Sequence, residues 1–223
     1  MNAPRRHRDR GPARRDSFRD PKPILLVVCE GAVTEREYLL GLANQCRNSR
    51  VQVKISDIAG RDPKSLVEEA KSLKKKAEEA AEKRGDDNLA YDQVWCLHDI
   101  DDHPGEKLAG ASDMARDNGI LLAVSNPCVE LWLYLHFENT GPIDRKKLAS
   151  LLKKRIPKYD KHVRFEDYEA GLEDAIKRSK TLDKLAKNAG DTRRNPTTGV
   201  HRLVEEIRKV SSAGRANVPV GGR

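Results

Sequence analysis

Nowhere does the chain hold an apolar stretch approaching about 18 residues, the length a membrane-spanning helix needs, and it has no charged-then-apolar start of signal type. Neither a span nor secretion is expected, and the expected compartment is the cytoplasm. A C-x-x-C pair is also missing. The four cysteines, Cys29, Cys46, Cys96 and Cys128, are scattered, three of them in or beside apolar runs. Disulfides and a zinc knuckle are thereby disfavoured, and the thiols read as small buried hydrophobes. The body of the chain lacks net charge as well. Of the formal +8, residues 1–20 contribute seven arginines against three aspartates, and residues 208–223 contribute four cations with no acid, which leaves the rest neutral. Basic tails without apolar periodicity bury too little to offset the entropy of ordering, so residues 1–21 and 211–223 are expected to be disordered. Their plain role is solubility; the functional alternative is a weak, salt-sensitive attraction to phosphate. A chain of 223 residues is long enough for one principal core with an appendage, and short for two large domains.

What the chain does have is two strand-length apolar runs that stop abruptly at carboxylates. Ile24 to Cys29 ends at Glu30-Gly31, and Val94 to Leu97 ends at His98-Asp99-Ile100-Asp101. A buried parallel strand delivers residues to a binding crevice in this way. Alternate strand residues share a face, so Asp99 and Asp101 can point together while Ile100 returns to the core.

Between and after these runs the periodicity alternates. Residues 33–46 form an apolar stripe through Tyr38, Leu39 and Leu42, with Thr34 and Glu37 at capping-box spacing, which predicts a helix. Residues 51–58 alternate as a strand nearer a sheet edge. Pro63 opens a Lys/Glu/Ala-rich helix to about Arg84, stopped by Gly85. Pro104 starts a further helix to about Asn118, and Ile120 to Val124 is a short fourth strand. Ser125-Asn126-Pro127 reads as a cap with an N1 proline launching a helix over residues 128–137. Residues 143–210 read as helices alone, divided at Pro157, Gly171 and Asn195-Pro196. The prediction is an α/β three-layer fold: a mostly parallel sheet of about four strands over residues 22–140, with a helical C-terminal addition over 141–210.

Three clustered acids suit Mg²⁺ (or Mn²⁺), which prefers hard oxygen ligands and uses few protein carboxylates beside substrate phosphate. Glu30, near like charges, could gain proton affinity for general acid or base work. The bland alternative is that strand-end acids cap helices or are solvated. Zinc, through His98, Asp99, Asp101 and His103, lacks a third well-placed ligand. Trp132, Tyr134 and Phe137 sit among leucines and read as core; His136 is open between core and site. Lys161 lies in a basic segment with Lys153, Lys154, Arg155 and Lys158, which is either a solvated face or a source of one phosphate-facing cation. Arg193 and Arg194 invite the same two readings. Asn195 or Thr197 could simply cap a helix.

The strings Cys29-Glu30-Gly31-x-x-Thr34-Glu35-x-x-Tyr38, Asp99-x-Asp101, Ser125-Asn126-Pro127-x-x-Glu130-Leu131-Trp132-Leu133-x-Leu135-His136-Phe137, Tyr159-x-Lys161 and Asn195-Pro196-Thr197-Thr198-x-Val200-His201 together resemble the RloB family over about residues 22–207. The Ser-Asn-Pro segment is the most specific of these. That family lies near restriction and abortive-infection loci and includes the second component of the AbiL phage-defence pair. The resemblance implies a Toprim-like (Rossmann-like) fold, a Mg²⁺-dependent nuclease or nucleic-acid phosphotransferase, and an SMC/ABC-type ATPase partner encoded nearby. It implies general acid/base work for Glu30 and metal binding for Asp99 and Asp101. Glu35, Glu130, His136, Tyr159, Lys161, Asn195 and His201 match family motif positions. One departure is that Asp102-His103-Pro104-Gly105 follows the acidic strand end where Toprim strings place a glycine. A regulatory subunit that binds nucleic acid or nucleotide without cutting, and phosphoryl transfer on a small metabolite, are the competing readings.

Overall fold

The computed structural model describes residues 24–31, 33–47, 50–55, 62–100, 105–157 and 159–213. Strand β1 (Leu25–Cys29) leads through helix α1 (Thr34–Gln45) to β2 (Val51–Ile55), and α2 (Pro63–Arg84) leads on to β3 (Gln93–Asp99). After α3 (Gly105–Asp117) and β4 (Leu121–Asn126) come α4 (Glu130–Leu135), α5 (Arg145–Arg155), α6 (Leu172–Asn188), the two-residue β5 (Thr197–Thr198) and α7 (Val200–Ala213). The sheet order is β2-β1-β3-β4-β5, parallel throughout except for β5, which runs antiparallel to β4. This is an α/β, Rossmann-like arrangement.

Every residue of β1 is buried, as expected for a central parallel strand covered on both faces. Its alternation splits the core in two. Leu25, Val27 and Cys29 join Trp95 and Leu97 of β3 under Tyr38, Leu39, Trp132, Leu203 and Val204. Leu26 and Val28 join Val94 and Cys96 against Leu66, Val67 and Ala70 of α2 and Ala111 and Ala115 of α3. The right-handedness of parallel crossovers accounts for that division. The step β1 to β2 moves one way along the sheet and β2 to β3 moves back past β1, so their helices must cover opposite faces. The same reversal makes the C-terminal ends of β1 and β3 the point where connections diverge, the place where open α/β sheets form crevices. There the Glu30 N–H donates to the Leu97 carbonyl (3.1 Å), carrying the ladder to the tips.

Five features differ from the sequence reading. The sheet has five strands rather than about four, because Thr197–Thr198 pairs with β4 in the segment read as helices alone. Such a short strand exists only through its partners: Ser125 and Thr198 hydroxyls bond at 2.8 Å and the Gly199 N–H donates to the Val124 carbonyl. The helix expected over 128–137 shortens to α4, since Asn126 extends β4 and Val129, without a side-chain cap, precedes the first helical residue. Thr34 and Glu37 form no capping box; their side chains turn to a distant segment instead. Asn195 and Thr197 cap no helix either: Asn195 bonds Ile143, Thr197 donates to the Arg194 carbonyl, and α7 begins at Val200. Of the tails expected to be disordered, 1–21 and 211–223, residues 211–213 instead continue α7 to Ala213, an extension of the amphipathic helix that buries Leu203, Val204 and Ile207, while 1–21 and 214–223 lie outside the described residues.

Candidate functional site

A cavity of about 240 Å³ opens where β1 and β3 end, lined by Glu30, Gly31, Thr34, Glu35, Asp99, Glu130, Arg145 and Lys161 among others. Four carboxylates from four different places in the chain therefore share one wall. Glu30 continues β1, Asp99 closes β3 on the α1 side of the sheet, Glu35 stands in the first turn of α1, and Glu130 opens α4.

Glu35 is 6% exposed and Glu130 9%, so these acids are enclosed rather than solvated. Burial raises the Glu35 carboxyl and the like charges of Glu130 and Glu30 add to that, against the N–H groups of Glu35 itself and Gly31, which pull the other way. Gly31 permits a close approach here: a Cβ would meet the Glu35 carboxylate, which would have to swing aside. Burial pushes Asp99 well above the ordinary carboxylate range, reinforced by Glu35, Glu130 and Glu30 and opposed by Arg145. The Arg145 Nη2 donates to Asp99 Oδ2 at 2.9 Å. The other oxygen, Oδ1, is buried with no hydrogen-bond partner among the described residues, an arrangement that costs stability unless something else satisfies it.

Lys161 enters the rim from the loop between α5 and α6 in a left-handed conformation, φ 82°. A lysine there is strained and stays only because its surroundings hold it. The first turn of α1 does so. The Thr34 hydroxyl donates to the Lys161 carbonyl (2.9 Å), and Glu37 accepts from the Val163 N–H (2.7 Å) and meets His162 Nδ1 (2.9 Å). Tyr159 is buried behind this segment, its phenol raised by burial and by nearby Glu130.

Of the residues singled out in the sequence, then, Glu30, Asp99, Lys161, Glu35 and Glu130 converge, with Tyr159 beside them. Asp101 and His103 lie outside the described residues. His98 points to the opposite face, 2% exposed, with Nδ1 3.3 Å from the Asp99 carbonyl, which removes it from any zinc site with Asp99. His136 is a core residue: Nε2 meets the Tyr38 hydroxyl at 3.1 Å, Nδ1 meets the Tyr168 carbonyl at 2.8 Å, and Trp132 packs edge-on. His201 is buried between Ser179 Oγ (2.8 Å) and Asp183 (3.8 Å), away from the cavity. Asn195 braces the chain, accepting from the Ile143 N–H and donating to its carbonyl. Trp132 and Tyr134 are core, and all four cysteines are free, three of them fully buried. Arg145 is the residue that sequence reasoning missed; its one signal was a cation directly after a capping aspartate, Asp144, where a helix dipole favours acids.

The donor set is all hard oxygen, which fits Mg²⁺ or Mn²⁺ and not a soft or imidazole-preferring ion. Among the described residues no three His, Cys, Asp or Glu side chains group closely enough to hold a metal by themselves. This is compatible with an ion that takes one or two protein carboxylates and completes its shell with water and phosphate. No described helix is long and apolar enough to cross a membrane.

The profile of a protein family described as RloB-like protein matches residues 25–207. No curated protein and no solved structure gives a significant match to the chain.

Proposed function

Because the chain belongs to the RloB-like family, we propose that it is a Mg²⁺-dependent phosphodiester hydrolase of Toprim type, acting on nucleic acid in antiphage defence in the cytoplasm with an SMC/ABC-type ATPase partner. The observation that carries this reading is the Asp99 carboxylate, buried beside three other acids with Oδ1 unsatisfied among the described residues. A fold keeps such an unsatisfied buried oxygen where function needs it. Asp99, with Glu30 or Glu130, would hold the cation, which when bound would polarise a phosphate and offset the charge developing on it.

The remaining roles belong to the chain's own groups. Glu35, its carboxyl raised by burial, holds a proton more readily than an ordinary carboxylate and so can give or take one at an oxygen of the scissile ester. Lys161 and Arg145 on the rim can orient non-bridging phosphate oxygens. The test is cleavage of labelled DNA and RNA by the protein with its partner. Asp99→Ala with Asp101→Ala should abolish Mg²⁺-dependent cutting while leaving partner binding intact. Absence of cutting by the native pair under every divalent metal would overturn the reading.

The Arg145–Asp99 pair favours a second reading. An acid already matched by a cation suits a regulatory subunit that binds nucleic acid or a nucleotide without cutting it. In that case Asp99→Ala leaves the partner's nucleic-acid-dependent ATP hydrolysis unchanged, and no oligonucleotide is consumed.

A further inference from the structure

Helix α5 has the sequence Arg-Lys-Lys-Leu-Ala-Ser-Leu-Leu-Lys-Lys-Arg, six cations and no acid in eleven residues. No other described helix is composed in this way. The long α2 interleaves Lys and Glu, with a Lys75–Glu79 pair one turn apart, and α6 and α7 each carry acids among their cations. The α5 charges also oppose the helix that bears them. Arg145, Lys146 and Lys147 occupy its first turn, where the macrodipole is positive and acids are favoured, while α1, α4 and α6 each place acids there. Within one helix such like-charge crowding is unfavourable, and the fold offsets only its ends. Arg145 meets Asp99, and Arg155 meets Glu138 at 2.6 Å.

The four lysines between them have no acid partner among the described residues, and all are exposed. Leu148 and Leu152 are fully buried, so the period of 3.6 puts Lys146, Lys147, Lys153 and Lys154 together on the outward side. This lysine face begins at the cavity, because the residue before Lys146 is the one bonded to Asp99. Asn195, through its two bonds to Ile143, anchors the exposed turn carrying Arg193 and Arg194 two residues upstream of the same helix start.

We propose that α5 is a phosphate rail: its lysine face holds the backbone of an extended nucleic-acid strand and leads it to the carboxylate cavity. The inference rests on the hydrolase reading only for the direction of travel; the rail itself requires binding alone. Its occupant is a polyanion with phosphates repeated along its length, since four lysines spread over two turns match a series of charges and not one small phosphate. Carboxylates at one end and lysines along the helix also divide the labour, because the cavity by itself repels a phosphodiester.

The test uses the full chain, a fluorescein-labelled 20-nucleotide single strand and its duplex, with EDTA present so that nothing is cut. Lys146, Lys147, Lys153 and Lys154 are changed together to Gln, which keeps helix propensity, and a second variant changes them to Arg. The control removes the same charge from exposed Lys71, Lys75, Lys76 and Lys83 of α2. The α5 glutamine variant should bind at least about tenfold more weakly, with the slope of log K against log salt reduced by about 3 on the single strand. The arginine variant and the α2 control should stay within about threefold of the native chain. Equal losses in the α5 and α2 variants, or native affinity in the α5 glutamine variant, overturn the rail and leave the face to an acidic protein. So does a native chain that binds no oligonucleotide. Cleavage in Mg²⁺ is read separately, on the native chain and on Asp99→Asn, so the rail, judged in EDTA from the α5 and α2 variants alone, and the hydrolase reading fail independently.

Discussion

Arg145 and Asp99 meet across the cavity at 2.9 Å, yet the aspartate remains raised above the ordinary carboxylate range, because burial and three neighbouring acids outweigh one half-exposed guanidinium. The folded protein therefore binds a proton at Asp99 that the unfolded chain has released, over the interval from about pH 4 upward to the raised folded value. Stability falls as pH rises through that interval. Asp99→Asn, which keeps an acceptor for Arg145, should unfold at a higher temperature than the native chain at pH 7–8 without divalent metal, and at the same temperature near pH 4. Each pH unit of elevation corresponds to about 1.4 kcal/mol, or about 3–6 °C in a domain of this size. A native chain as stable as the variant at pH 8 would contradict the assignment.

His136 titrates in the opposite sense. Burial lowers it to about 4, with Arg178 adding to the effect and the Tyr168 carbonyl opposing it. The stability from its neutral ring is complete above pH 6.5 and drains away as pH falls towards 4. His136→Gln should cost about 1–3 kcal/mol at pH 7, while making urea unfolding less sensitive to pH between 6.5 and 4. If the variant keeps the native pH dependence in that window, the acid sensitivity lies elsewhere.

Gly31→Ala drives a methyl into the Glu35 carboxylate. The expected loss is about 1–3 kcal/mol in the native background and under about 0.5 kcal/mol in Glu35→Ala, where the clash is gone. Equal costs in both backgrounds would point to the backbone and not to Glu35.

Lys161 at φ 82° carries strain that glycine avoids. Lys161→Gly should match or exceed the native melting temperature and exceed Lys161→Ala by about 2–4 °C, while both variants lose function equally. A less stable glycine variant would mean that the lysine side chain, and not the backbone, is what the segment needs.

Asn195→Ala removes both bonds to Ile143. A cost of about 1–3 kcal/mol is expected, together with faster amide exchange at residues 143–147. An unchanged exchange rate there would show that α5 is positioned without this brace.

Much of the frame was readable because it is written locally. Two buried strands, β1 and β3, announce themselves as apolar runs, and Glu30 and Asp99 as the residues where those runs stop. Helix α2 carries its own punctuation, with Asp62 accepting from Lys64 and Ser65 and Gly85 left-handed at its end. What escaped depends on partners remote in sequence. The pairing that makes Thr197–Thr198 a strand comes from β4, 71 residues earlier at the Asn126–Thr197 pair. Thr34 and Glu37 have the right spacing for a capping box but bond a segment more than 120 residues away. Arg145 looked like one more cation in a basic run, since only the docking of α5 onto α4 brings it to Asp99. Glu35 and Glu130 were visible through family motifs alone; no periodicity marks a carboxylate that tertiary packing encloses.

The hydroxyl bond between Ser125 and Thr198 has a bearing on how the molecule can be trimmed. A fragment ending near residue 140 would retain four parallel ribbons, but would bare the outer margin of β4, a ready template for aggregation, and would forfeit Arg145 and Lys161 from the rim. The smallest piece worth expressing therefore runs from β1 through α7, and any fusion tag belongs outside those bounds.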